Sequence, residues 1–110
     1  MNFPADFDVD AFLAPLREKY GTGDVVAVMT VAGPIAFRTP NSAEYVRFKA
    51  MASNPQERIV ASKNLCLMTV ASMSREELAA ILEKKPGIAD TCDDEILALA
   101  GVDAHAAVKR

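Results

Sequence analysis

The apolar residues of this chain fall into two patterns: a dense β-branched run near residue 28, and stripes at helical spacing on either side of it. From Asp24 to Ala32 the run Val25-Val26-Ala27-Val28-Met29-Thr30-Val31 predicts a strand. Gly33-Pro34 reads as a turn and Ile35-Ala36-Phe37-Arg38-Thr39 as a partner strand, which together predict a β-hairpin over residues 24–39. Two strands alone are barely stable, so the hairpin must pack on helices or pair with another chain. Upstream, Phe12, Leu13 and Leu16 form one apolar stripe of a short helix, capped by Asp8 or Asp10 and ended at Gly21 as a left-handed C-cap. Pro15 lacks an N–H and is tolerated in the first turns of a helix, which places the start near Ala11; an earlier start implies a kink.

Three helix starts follow, each with a capping residue and a Glu three positions later: Asn41/Glu44, Asn54/Glu57 with Pro55 at the first helical position, and Ser74/Glu77. They predict helices over 41–53, 55–71 and 75–85, followed by a last helix over 88–100 that is ended by Gly101. The first carries Tyr45, Phe48 and Ala52 on one face, the third Leu78, Ile81 and Leu82, and the last Ile88, Cys92, Ile96 and Leu99. The second ends in Leu65-Cys66-Leu67-Met68-Thr69-Val70-Ala71, apolar all round, as expected of a central buried helix or a self-association surface. The expected fold is α+β in a single domain, 1–110: an N-terminal helix and linker (1–23), the hairpin (24–39), a body of about four helices (40–101) and a small Ala-rich tail (102–110), frayed or helical.

Composition fits this scheme. The 110 residues are 51% hydrophobic and 25% charged, which excludes disorder throughout. With five Phe, two Tyr and no Trp, the core must be mostly aliphatic. Much of the hydrophobic excess lies in the Val-rich strand at 25–31 and in helix 65–71, and those two segments are the expected places of any self-association or partner masking. No apolar run approaches the roughly eighteen residues of a membrane span, and the N-terminus lacks a signal-peptide pattern, so a cytoplasmic protein is expected. Cys66 and Cys92, in apolar helical contexts, read as reduced and buried.

The net charge of −3 is unevenly distributed. Residues 1–24 carry two basic and five acidic side chains, residues 25–75 six basic and two acidic, and residues 76–110 four basic and eight acidic. A basic middle between acidic ends suits mutual neutralisation, within the chain or between copies, better than nucleic-acid binding. Arg38, Arg47 and Lys49 interleave with Phe37, Tyr45 and Phe48 in the manner of a base-stacking platform, but the spacing of Tyr45 and Phe48 is more simply that of core residues.

Little else in the chain suggests chemistry. Gly21-Thr22-Gly23 lies between a helix and a strand, the reverse of a nucleotide-binding loop. Asp90, Asp93 and Asp94 share a helix face, where acids near the N-terminus complement the dipole; a metal site or an acidic docking face is the sharper reading. The one histidine, His105, lies in the tail, and no catalytic set is nominated. A non-enzymatic protein without metal or cofactor is expected.

The stretch Pro34-Ile35-Ala36-Phe37-Arg38-Thr39-Pro40-Asn41-Ser42-Ala43-Glu44-Tyr45-Val46-Arg47-Phe48 is followed by an apolar helix, by Glu77-Leu78-Ala79-Ala80-Ile81-Leu82-Glu83-Lys84-Lys85-Pro86-Gly87-Ile88 and by Ile96-Leu97-Ala98-Leu99-Ala100-Gly101. In this ordering, over about residues 24–101, the chain resembles small phage proteins of the tail-assembly-chaperone type. The resemblance implies a cytoplasmic morphogenesis protein that coats the apolar, helical tape measure protein and helps recruit tail-tube subunits, with homo-oligomers expected. On that view Phe37, Tyr45 and Phe48 organise the partner site, Arg38 and Arg47 are its polar contacts, and Met51, Met68 and Met73 supply an adaptable apolar surface; the plainer reading of the methionines is that they fill core gaps. Two other readings stand beside it: a virion or head–tail component forming rings by edge-strand pairing, and a small nucleic-acid-binding regulator.

Overall fold

The computed structural model describes residues 3–102. The order is α1 (Val9–Tyr20), a 3-10 turn (Thr22–Asp24), β1 (Val25–Thr30), β2 (Gly33–Arg38), α2 (Ser42–Ser53), α3 (Arg58–Thr69), α4 (Arg75–Lys84) and α5 (Gly87–Leu99), an α+β fold as the sequence predicts. His105 and the rest of the tail lie outside the described residues.

Local signals set most of the boundaries. Asn41 and Ser74 both form complete capping boxes: the Glu44 and Glu77 amides donate to the cap side chains, and the two glutamates accept from the cap amides in return. Ser74→Ala removes half of one box and is expected to cost about 1 kcal/mol, read as a lowered urea midpoint; an unchanged midpoint would show that this cap carries no stability. At the end of α5, Gly101 takes a positive φ of 95°. Its N–H donates to the Ala98 carbonyl and that of Val102 to the Leu97 carbonyl, the paired closure that only a residue free of a Cβ adopts without strain.

The structure chooses between the two caps offered for α1, and three expectations are corrected. Helix α1 begins at Val9, because Asp8 rather than Asp10 caps it, accepting from the Ala11 amide at 3.0 Å; Asp10 pairs instead with Arg17. Pro15 therefore lies in the helix interior. Gly21 has positive φ but extended ψ (106°, 146°), so it ends α1 without entering the left-handed helical region. The hairpin turn is Val31-Ala32, two residues earlier than Gly33-Pro34: the Thr30 hydroxyl donates to the Gly33 carbonyl and accepts from the Ala32 amide, which closes the loop there. Asn54 does not cap α3. It is occupied as the C-cap of α2, its side chain accepts from the Gln56 amide in a local turn, and α3 starts only at Arg58.

The sheet is the antiparallel pair β1–β2, with Val26 opposite Phe37 and Val28 opposite Ile35. Side chains alternate across a strand. Val26, Val28, Ile35 and Phe37 thus enter the main core, with Phe48, Leu65, Cys66, Leu78, Leu82, Ile88, Cys92 and Ile96. Val25, Ala27 and Ala36 meet Leu13 of α1 in a second cluster, edged by Phe3, Phe12 and Tyr20. The hairpin is thus a middle layer between α1 and the helical body. Helix α3 ends at Thr69 rather than at 71, and the chain that follows runs along β2. Val70 bridges Phe37, the Ala71 N–H donates to the Ala36 carbonyl at 2.8 Å, and the Ala36 N–H donates to Ser72 Oγ at 2.9 Å. Most of both segments expected at a self-association or partner surface, residues 25–28 and the end of α3, is therefore taken up within the chain: α1 supplies the missing cover for one face of the hairpin and the body supplies the other, while Val31 at the hairpin tip stays exposed.

Candidate functional site

The eight residues expected to contact a partner have two fates. Phe37 has no exposed surface and Phe48 almost none; Met51, Met68 and Met73 are half-buried against the same core. Tyr45 is half-buried, and only Arg47 is freely exposed. The structure brings most of this set together, but as interior rather than as a docking face. Phe37 cannot touch a partner unless the core opens.

Arg38 is likewise spent inside the molecule. At the end of β2 its guanidinium makes a bidentate pair with Glu44 of α2, both bonds 2.8 Å, and donates to the Met68 carbonyl in the last turn of α3 at 2.7 Å and to the Thr39 carbonyl at 3.1 Å. One side chain thereby ties the strand, the start of one helix and the end of another, and satisfies a helix-terminal carbonyl. The hydrogen bond from Arg38 holds the Glu44 carboxyl below its usual range, aided by the Asn41 amide and by the charges of Arg38 and Arg75 and opposed by burial. The same bond raises Arg38 further above its already high value, against the cost of burial.

The remaining polar groups are small in number. Ser62 of α3 donates to Asp93 of α5, but burial outweighs this bond and, with Asp94 and Asp90 nearby, lifts the Asp93 carboxyl above its ordinary value. Among the described residues the acids of α5 do not converge on a group that could hold a metal ion. Cys66 and Cys92 are buried free thiols; the hydrogen bond to Cys92, together with burial, pushes the Cys66 thiol up. The same bond lowers Cys92, against burial, but both thiols lie in the core with almost no surface open to a substrate. No helix among the described residues is long and apolar enough to cross a membrane.

Open concave surface lies elsewhere. A cleft of about 520 Å³ runs between the first half of α3, the end of α4 and the start of α5, with Ile59, Val60, Leu82 and Ala89 as its apolar lining. A second, of about 440 Å³, lies between the hairpin tip and the start of α5, lined by Met29, Val31 and Ile88 and flanked by Lys84 and Lys85. Pro86 and Gly87 of the α4–α5 turn belong to both, so the clefts adjoin. Ile59 in the first is 87% exposed and Val31 in the second 85%, large aliphatic side chains left in solvent beside apolar hollows. The sequence signal that reaches them is the Val-rich run, which ends at Val31 beside the second cleft; Ile59, seven residues before buried Cys66 on α3, carries none.

Comparison with known proteins adds a family and no activity. No curated protein and no solved structure matches the chain. A family model described as a domain of unknown function, DUF6848, matches residues 16–109, from the second half of α1 into the tail, and the chain belongs to that family.

Proposed function

We propose that this chain is a non-enzymatic binding protein of the tail-assembly-chaperone type, working in the cytoplasm of the host cell. It masks the apolar face of a helical partner such as a tape measure protein until assembly. The observation that carries the reading is the pair of adjoining clefts around Pro86 and Gly87, apolar at their floor and edged in the first by Lys63, Glu83 and Asp90, with Ile59 and Val31 exposed beside them. Their volumes fall within the range of about 300–1,000 Å³ typical of binding pockets. An amphipathic helix presents anchors at i, i+3, i+4 and i+7, and such a row suits two hollows that share a wall. The partner site therefore moves from the Phe37–Phe48 region to the α3–α4–α5 side.

The ring-forming alternative finds less support. Edge-strand addition at β2 would have to displace Val70, Ala71 and Ser72, which already bond along it, so such pairing is restricted to the outer edge of β1.

The test is co-expression with the tape measure protein of the same phage. The wild-type chain is expected to keep it in solution as a complex. Ile59→Glu combined with Val31→Glu should leave the melting temperature unchanged and weaken the complex about tenfold or more, as loss of interface anchors does. Equal protection by the variant, or no complex at all, would overturn the proposal. Finding the chain at fixed stoichiometry in purified particles would favour a virion component.

A further inference from the structure

A smaller recess of about 160 Å³ lies between α2, α3 and the start of α4, lined by Arg47, Asn64, Leu67, Met68 and Arg75. None of its α3 residues lines the larger clefts. Two arginines line this hollow and no carboxylate does. The nearby carboxylate, Glu44, is already engaged by both nitrogens of the Arg38 fork and by the Asn41 amide. Glu77, in the first turn of α4, is held by the Ser74 amide. Among the described residues neither Arg47 nor Arg75 has an ion-pair partner.

Arg75 is also held in place. Its Nε donates to the Leu67 carbonyl at 3.2 Å, which fixes the guanidinium at the recess and leaves its two terminal nitrogens for another acceptor. Glu44 lies close enough to feel the Arg75 charge, but it is held by the Arg38 fork; a hollow lined by two cations and no carboxylate of its own therefore favours a small anion. The planar fork of Arg matches the oxygens of phosphate. A phosphate group carries close to two negative charges near neutral pH, equal to the two cations present. The volume is well below the roughly 300 Å³ at which pockets for larger ligands begin, so a nucleoside or a peptide does not fit inside.

We propose that Arg47 and Arg75, with Asn64 beside them, form a binding site for a single phosphate group, free or carried on a small ester. The site is independent of the helix-binding clefts and of whether the protein is an assembly chaperone.

The test uses the full chain at constant ionic strength, with chloride replaced stepwise by inorganic phosphate, and in a second arm by glycerol 3-phosphate. Expected is saturable movement of the Arg47 and Arg75 side-chain NMR resonances together with a rise in melting temperature. Stronger binding of the ester marks a monoester as the source, and equal binding marks free phosphate. Arg47→Gln, which breaks no internal hydrogen bond shown here, should weaken binding about tenfold. Arg75→Gln should do at least as much, and Arg47→Lys should recover only part of the loss, because a point charge lacks the fork. The proposal fails if the response is unsaturable, is spread over all basic residues, or survives Arg47→Gln. It also fails if a single-stranded oligonucleotide binds with steep salt dependence while phosphate and glycerol 3-phosphate do not, since diffuse backbone attraction would then account for the charge.

Discussion

Phe37→Ala is expected to destabilise the protein by about 3–5 kcal/mol, the largest effect of any single truncation considered. Phe37 is the largest side chain with no exposed surface. It stands on the face of β2 that enters the main core, and its backbone bridges Val70, so it joins the hairpin to the segment following α3. Truncation opens a cavity where the middle layer meets the body, and neighbours from both sides cannot close it without shifting the strand. A domain of this size has roughly 5–15 kcal/mol in total, so the variant should sit near the edge of folding. Urea unfolding measures this directly. Phe37→Leu, which keeps most of the volume, should lose about 1–1.5 kcal/mol. If Phe37→Ala shifts the midpoint by less than 1 kcal/mol while a partner complex is lost, Phe37 is a contact residue and the interior assignment is wrong.

Arg38→Ala is expected to cost about 2–3 kcal/mol at pH 7, between the value of an exposed pair and that of a fully buried one. The side chains of Arg38 and Glu44 are 25% and 19% exposed, so screening by solvent is incomplete on both. The loss also strands the Met68 carbonyl. The pH dependence has a definite sign. The folded-state pKa of Glu44 is depressed by Arg38, so its contribution is present above the ordinary glutamate range, near pH 4.3, and is lost as pH falls through the lower folded value. The raised value of Arg38 acts in the opposite direction, with stability lost only as pH rises beyond the arginine range, outside ordinary experiments. Urea midpoints for wild type, Arg38→Ala, Glu44→Gln and the double variant, at pH 7 and near pH 3, separate these contributions. Wild type should lose more stability on acidification than Arg38→Ala. Parallel losses would show that the pair is not the source.

The two working capping boxes were legible because they are local: the cap residue, the Glu three positions on and the apolar stripe behind them all lie within one or two turns of chain. The Asn54 box failed for an equally local reason, because the same residue was already needed to end α2 and to turn the chain. The candidate contacts were less legible. Phe37, Phe48 and the methionines have the composition of a binding face and of a core alike, and only the arrangement of neighbours separates the two. Arg38 looked like a free cation because nothing in the sequence shows that the Met68 carbonyl, thirty residues away, ends a helix beside it.

The sequence by itself determined the elements, their order and their apolar faces: helical stripes, a β-branched run, and caps that act over three or four residues. Tertiary structure decided what covers the hairpin. Each strand is apolar on both faces, and whether α1, the helical body or a second chain fills those faces depends on contacts between distant segments, which no local spacing encodes. The same packing left Ile59, Val31 and the α4–α5 turn uncovered, and so placed the open clefts around that turn. A cleft is the space left after all elements have docked, so it appears only when their mutual positions are known.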